Sequence, residues 1–146
     1  MMSDLNSGPY QGQCLCGLIK YEVEEIEQRM AHCHCSMCRK FHGAAFATLG
    51  EAKSDNFHWV AGEAHLKTYL APNGTKRQFC DNCGSSLIFL SSNDTGELIE
   101  FSLGTLDSKI ELKPDAHIFT NYAASWYEVS DELPQFTEGR DNPEKS

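Results

Sequence analysis

The chain has 146 residues, an ordinary hydrophobic content of 40% and a formal net charge of −9. This length predicts one domain with its own core, and the acidic charge argues against a nucleic-acid surface, which needs clustered lysine and arginine. No apolar run is long enough for a transmembrane helix, and the polar start lacks a signal-peptide pattern. We therefore expect a cytoplasmic protein whose seven cysteines bind metal or do redox chemistry rather than form disulfides.

Short apolar or alternating segments between glycine-rich turns predict a mainly β fold. In chain order the predicted strands are 18–23, 30–35, 44–49, 57–60, 65–70, 76–80, 86–90, 98–103 and 117–120. One helical turn is predicted at 36–41, with Ser36 as its N-cap. A hairpin loop is predicted at 91–96. The domain organisation predicted is a flexible N-terminus at 1–9, a single domain at 10–135 and a polar tail at 136–146.

The seven cysteines fall into three groups with the spacing of metal ligands. In chain order the groups are Cys14 and Cys16; Cys33, Cys35 and Cys38; and Cys80 and Cys83. The first pair is predicted to share one face of a strand. Cys80-Asp81-Asn82-Cys83-Gly84 has the form of a zinc knuckle, with its glycine in the left-handed conformation. Because converging thiolates repel one another, a soft divalent metal, most often Zn²⁺, is expected among them.

Ligand counting separates two kinds of site. Two tetrahedral zinc sites need eight ligands, so seven cysteines leave one position open. A site made from the first and third groups would be closed and structural, whereas the middle group would keep an exchangeable position, as catalytic zinc sites do. Spacing alone leaves this division open, since His34 or His42 is also able to fill the eighth position and make both sites inert.

An open position on a three-thiolate zinc favours a thiol substrate, because three thiolates make the ion a poor Lewis acid and a soft ligand competes well. A thiolate held there is predicted to attack an aldehyde carbon, and a histidine to supply the proton that the alkoxide needs. The candidate histidines are His34, His42 and His117. Candidates for binding a substrate carboxylate are Arg39, Lys40 and Arg77. A purely structural role is the alternative for each of these side chains.

Three motifs together resemble the glutathione-dependent formaldehyde-activating enzyme family, which shares its domain with centromere protein V. The motifs are Gly12-x-Cys14-x-Cys16-Gly17, Cys33-His34-Cys35-x-x-Cys38-Arg39-Lys40 and Arg77-x-Phe79-Cys80-x-x-Cys83-Gly84. A later stretch is similar to the C-terminal pattern of that family, and it consists of His117-Ile118-Phe119, Trp126 and Asp131-Glu132-Leu133-Pro134. The resemblance therefore covers most of the chain.

The resemblance implies an Mss4-like fold of small antiparallel sheets organised around a structural zinc. It implies two zinc ions per chain, the structural one bound by Cys14, Cys16, Cys80 and Cys83 and the catalytic one by Cys33, Cys35 and Cys38. It also implies a carbon–sulfur lyase similar to S-hydroxymethylglutathione synthase, with a small-molecule thiol and aldehyde, glutathione and formaldehyde, as partners.

Two other functions stay open from the sequence. One is a non-catalytic zinc module that binds a partner protein, which would have a closed second site or a dispensable Cys38. The other is a thiol redox or metal-handling protein, which would show labile metal and reversible disulfide formation.

Overall fold

The computed structural model describes residues 8–93 and 95–140. Within these ranges, ten strands and one α-helix follow the chain in the order β1 (Tyr10–Gln13), β2 (Lys20–Val23), β3 (Ala31–Cys33), α1 (Ser36–His42), β4 (Ala47–Lys53), β5 (Phe57–Ala61), β6 (Leu66–Leu70), β7 (Lys76–Cys80), β8 (Ser86–Leu90), β9 (Leu98–Ser102) and β10 (Ala116–Ile118). The predicted mainly β fold is confirmed. None of the described helices has the length and hydropathy of a membrane-spanning helix.

The predicted strand boundaries agree best where turn residues bracket the strand closely. The strands predicted at 76–80 and 86–90 match β7 and β8 residue for residue. The strand predicted at 44–49 was placed too early, because β4 begins at Ala47. Three parts of the predictions lie outside the described residues: 1–7 of the N-terminus, 141–146 of the polar tail and Asp94 of the hairpin loop.

The chain forms two compact units, of which the first comprises 8–28 and 50–112 apart from Asp94. It contains the three-stranded sheet β1–β2–β5 and the neighbouring strands β9–β8–β7–β6. The pairings β1–β2, β2–β5, β6–β7, β7–β8 and β8–β9 are all antiparallel. This is the pairing that short loops between consecutive strands favour.

The core of the first unit is built around the buried ring of Tyr21 on β2. This ring stacks on Phe57 with the centroids 5.0 Å apart and packs at an angle on Phe101 at 5.9 Å. The Tyr21 hydroxyl shares a hydrogen bond of 2.7 Å with Thr105 Oγ1, so the polar end of the buried ring is satisfied.

The second unit comprises 29–49 and 113–140 of the described residues. Strand β3 lies between the first residues of β4, which pair with it antiparallel, and β10, which pairs with it in parallel. The parallel pair departs from the antiparallel sheets that were expected. Parallel neighbours need a long crossover, and here the chain between Cys33 and Ala116 provides it.

Residues beyond Pro134 also hydrogen-bond within the second unit. The backbone N–H of Phe136 donates to the carbonyl of His117 at 2.8 Å, and Phe119 N–H donates to the carbonyl of Glu138 at 2.9 Å. The Arg140 guanidinium donates to the Met30 carbonyl at 3.1 Å. Part of the segment that the sequence assigned to a polar tail therefore lines β10. The predicted domain bounds themselves stay a prediction.

Helix α1 begins directly after the cysteine triplet. Its N-cap is Cys35, which has extended backbone angles and accepts a hydrogen bond from Cys38 N–H through its sulfur. The predicted N-cap, Ser36, is wrong and is instead the first helical residue. A thiol took the place of the hydroxyl because Cys35 is the residue at which the backbone turns from extended to helical.

Candidate metal centres

The first metal centre is a group of four sulfur atoms in the first unit. The atoms are those of Cys14, Cys16, Cys80 and Cys83, and all lie within 4.8 Å of one another. The sulfurs of Cys14 and Cys16 are 3.6 Å apart, and those of Cys16 and Cys80 are 3.8 Å apart. A tetrahedral zinc with bonds of about 2.3 Å needs sulfur separations of about 3.8 Å, so this group fits a zinc ion.

Backbone N–H groups point at these sulfurs from two turns. Ile19 N–H donates to Cys14 Sγ at 3.3 Å, and Asn82 N–H donates to Cys80 Sγ at 3.4 Å. Burial raises the pKa of Cys83, but hydrogen bonds from Ser85 outweigh it and lower that pKa to about 5. The hydrogen bonds to these sulfurs favour thiolate, which is the form that binds metal.

The turn at Cys14 replaces the strand that the sequence predicted there. Strand β1 ends at Gln13, and the Gly17 N–H donates to the Cys14 carbonyl at 3.1 Å, so the prediction that Cys14 and Cys16 share a strand face is wrong. The reason is that backbone N–H groups in this turn are directed at the cysteine sulfur and so do not form strand-to-strand hydrogen bonds. The predicted zinc-knuckle turn at the other pair is supported by Gly84, whose φ of 82° is left-handed.

The second metal centre is the cysteine triplet of the second unit. The sulfurs of Cys33, Cys35 and Cys38 lie within 4.8 Å of one another. Cys33 ends β3, and the first turn of α1 returns Cys38 so that its sulfur lies 3.2 Å from that of Cys33. The C-x-C-x-x-C spacing thus converges because a strand end is followed at once by a helical turn.

The chemistry of the triplet calls for a positive ion. Hydrogen bonding to Cys35 and Cys38, together with burial, raises the pKa of Cys33 well above its ordinary value. The three thiols therefore resist losing their protons together unless a cation compensates the charge. Zn²⁺ fits such a thiolate set, and it takes four ligands. No histidine nitrogen or carboxylate oxygen of the described residues joins this group of three.

A chain of hydrogen bonds runs through two buried histidines of the second unit. His34 lies between Cys33 and Cys35 in the sequence, and its Nε2 is 2.8 Å from Nδ1 of His117 on β10. His117 Nε2 is in turn 2.9 Å from Oδ2 of Asp131. The two histidines are each 1% exposed. The parallel pairing of β3 with β10 brings these rings together, since it also joins the His34 N–H to the Ile118 carbonyl at 2.9 Å.

Aromatic rings enclose this histidine pair. The Phe46 centroid is 5.0 Å from that of His34 and 6.0 Å from that of His117, and the Tyr127 ring packs on Phe46 at 5.5 Å. Burial lowers the pKa of His34 to about 4, and the neighbouring histidines add to this effect. The third ring of the group, His32, lies 4.8 Å from His117 and shares a hydrogen bond with Thr48.

The remaining predicted site residues are spread over both units. His42 ends α1 and packs edge-on against Phe41, at 5.6 Å between centroids. Arg39 donates from Nε to the Tyr122 carbonyl at 3.2 Å, and Lys40 is exposed on the same helix. Arg77 belongs to the first unit, where it is buried with its guanidinium carbon 4.7 Å from the Phe89 centroid.

Sequence reasoning gave no site role to Asp131, His32 or Phe46. Their proximity to His34 and His117 depends on the pairing of β3 with β4 and β10, which local spacing does not reveal. In the sequence, Asp131 belongs to the C-terminal pattern, but that pattern does not indicate that Asp131 contacts His117.

The fold and the site together define a mainly β protein with a four-cysteine and a three-cysteine cluster, each of which has the geometry to hold a metal ion. The chain belongs to the glutathione-dependent formaldehyde-activating enzyme family, whose sequence model matches residues 9–122. The resemblance found in the three cysteine motifs is therefore confirmed.

Individual relatives agree with this membership. A Schizosaccharomyces pombe protein named an uncharacterized lyase is 26% identical over 129 residues, which cover 88% of this chain and 90% of the relative. A Halomonas elongata protein named a candidate glutathione-dependent formaldehyde-activating enzyme is 25% identical over 126 residues, covering 82% and 80%. A crystal structure of a Rhodobacter sphaeroides protein is similar with a TM-score of 0.57 and 26% identity, and the match covers 66% of this chain and 87% of that one. The family description and the names of the first two relatives describe enzymes.

Proposed function

We propose that this protein is a zinc-dependent carbon–sulfur lyase that adds a thiol to a small aldehyde and releases it in the reverse direction. The observation that carries this proposal is the convergence of the Cys33, Cys35 and Cys38 sulfurs without a fourth donor among the described residues. The family description points to glutathione as the thiol and formaldehyde as the aldehyde.

The proposal gives the two cysteine clusters different roles. The four-cysteine cluster completes a tetrahedron by itself, so it is assigned a structural zinc. The triplet supplies three ligands and leaves the fourth coordination position to an exchangeable ligand, as in catalytic zinc sites. Two zinc ions per chain follow. The absence of a histidine donor in the triplet, among the described residues, argues against His34 or His42 as a permanent cap.

When bound, the triplet zinc supplies the positive charge that keeps a partner thiol deprotonated near neutral pH. In the addition, sulfur forms a bond to the carbonyl carbon, the π electrons move to oxygen, and that oxygen takes up the proton that sulfur has lost. His34, His42 and His117 are the candidates for moving this proton. Of these, His34 stands next to two of the ligands and is hydrogen-bonded to His117.

Glutathione carries two carboxylates, and basic side chains of α1 are suited to them. Lys40 is exposed on α1. Arg39, one residue earlier, contacts the Tyr122 carbonyl through Nε, so this side chain also fixes the segment that carries Tyr122 and Tyr127. We assign these two residues to substrate binding and give Arg77 a packing role against Phe89.

The proposal is tested by magnetisation exchange between ¹³C-formaldehyde and S-hydroxymethylglutathione at equilibrium. Catalytic amounts of zinc-loaded protein should raise the exchange rate above the spontaneous rate. A Cys33→Ser, Cys35→Ser double variant keeps the first cluster and should not raise it. Full zinc loading with an unchanged exchange rate for glutathione, cysteine and simple alkyl thiols would overturn the proposal and favour the non-catalytic zinc module.

A further inference from the structure

Asp131 ends the hydrogen-bond chain that runs through His117 to His34. Its carboxylate is 47% exposed, whereas the His117 side chain that it contacts is 1% exposed. Oδ2 lies 2.9 Å and Oδ1 3.2 Å from His117 Nε2, and Oδ1 also accepts the Leu133 N–H at 3.0 Å. The carboxylate is therefore held by a side chain and by a backbone group at once.

These contacts fix the direction of every hydrogen bond in the chain. An ionised carboxylate only accepts, so His117 Nε2 must carry the proton. A neutral His117 then offers a lone pair at Nδ1, and the proton in the 2.8 Å bond to His34 belongs to His34 Nε2. His34 is then left with an acceptor lone pair on Nδ1. The hydrogen bond from His117 lowers the pKa of Asp131, which keeps the carboxylate ionised.

We infer that Asp131 is a positioning residue, which acts through His117 to hold His34 in the Nε2–H tautomer with Nδ1 as an acceptor. This inference rests on the proposed function, because a fixed acceptor on His34, the residue between the Cys33 and Cys35 ligands in the sequence, suits a substrate that carries an S–H or O–H group. Outer partners that orient an imidazole by its second nitrogen are a general device at metal sites.

The opposite arrangement requires a second proton on His117. That ring would then be a buried imidazolium against the rings of His32 and His34, which lie 4.8 and 5.0 Å from it. It would donate from Nδ1, and His34 would carry its proton on Nδ1 instead. The two arrangements differ in the tautomer of His34, which is directly measurable.

Asp131→Asn is the sharpest variant, since the backbone contact predicts which way the amide turns. The Leu133 N–H retains the amide oxygen, which places the amide nitrogen where Oδ2 faces His117 Nε2. An N–H donor there reverses the chain and should move the protons of both His117 and His34 to Nδ1. Asp131→Ala removes the constraint and should leave both rings exchanging between tautomers.

The test is a long-range ¹H–¹⁵N spectrum of the histidine rings in zinc-loaded protein, combined with the aldehyde exchange assay. Wild type should show Nε2–H for both rings, and Glu132→Gln, a control that removes the adjacent exposed carboxylate, should match it. Backbone amide spectra and zinc content establish that each variant is folded and loaded. We expect Asp131→Asn to slow exchange about 10- to 100-fold, the usual effect of losing an outer partner.

The spectral readout separates the failure of this inference from the failure of the lyase assignment. A wild-type His34 with its proton on Nδ1, or tautomers that do not respond to Asp131→Asn, would overturn the role of Asp131. Switched tautomers with an unchanged exchange rate would also overturn it. If the tautomers switch as expected in Asp131→Asn but the wild-type protein shows no turnover, the hydrogen-bond chain is supported and the lyase function is overturned.

Discussion

The sulfur atoms of Cys16 and Cys80 lie 3.8 Å apart although 64 positions separate them in the sequence. A metal bound between them closes a loop of the chain over that whole distance. Loss of one ligand should therefore remove both the metal and the closure.

Cys80→Ser or Cys83→Ser should leave the protein unfolded or aggregated. Structural zinc contributes roughly 10 kcal/mol or more in small zinc domains, which is comparable to the whole stability of a domain, about 5–15 kcal/mol. Circular dichroism and soluble yield measure the effect. A cooperative melting transition close to that of wild type would show that the first cluster is not needed for folding.

Cys38→Ser should keep the fold and lose one metal ion. Wild-type protein prepared under reducing conditions should contain two zinc ions per chain, and Cys38→Ser about one, because the two clusters are separate groups of ligands. Elemental analysis alongside thermal melting makes the comparison. If Cys38→Ser destabilised the protein as strongly as Cys80→Ser, the triplet would be structural as well.

A thiol should bind directly at the triplet. Cobalt in place of zinc reports this, because a fourth thiolate strengthens the sulfur-to-metal charge-transfer absorption. Titration with glutathione should change the spectrum of wild type and leave that of the Cys33→Ser, Cys35→Ser variant unchanged. A flat response to every thiol would indicate a capped site, and His34→Ala and His42→Ala would then identify the capping imidazole by restoring the response.

The geometry around Gly62 predicts a large difference between two otherwise similar substitutions. Gly62 and Gly96 both have left-handed backbones, with φ of 77° and 85°, but a Cβ at 62 would collide with the carbonyl oxygen of Leu18. A Cβ at 96 would meet no atom of the described residues within 4 Å. Gly96→Ala should cost about 1–2 kcal/mol for the left-handed conformation alone. Gly62→Ala should cost about 3 kcal/mol or more, since the backbone itself must move.

Thermal or urea unfolding of the two variants, both in the zinc-loaded state, measures this difference. Equal costs would mean that the backbone near Leu18 yields easily, in which case the close approach carries little strain.

The sequence was informative wherever chemistry and spacing are local. The three cysteine groups predicted metal ligands, since each pair or triplet spans only a few residues and leaves few geometries open. The joining of the first group with the third was implied by the family resemblance and not by spacing. The alternation and turn residues around 76–80 and 86–90 predicted β7 and β8 for the same reason. The cysteine groups and these two strands are determined by residues that are close together in the sequence.

The contacts that the sequence did not predict depend on pairing between segments that are distant in the chain. The contact between His34 and His117 exists because β10 lies in parallel beside β3, and no local pattern in either segment specifies that partner. Asp131 joins them only once this pairing has formed. At Cys14, the i, i+2 spacing suggested a strand, but the chain turns there and the Ile19 N–H donates to the Cys14 sulfur.

The parallel pairing of β3 with β10 also has a consequence for biosynthesis. A ribosome that adds about 5–20 residues per second completes the triplet Cys33–Cys38 several seconds before it reaches Ala116. Throughout that interval the nascent thiols lack the strand that pairs with β3 in the finished protein. Contacts of such long sequence separation form late and slowly. Loading of the triplet with metal, or its protection from oxidants, is therefore a matter of timing during synthesis as well as of affinity.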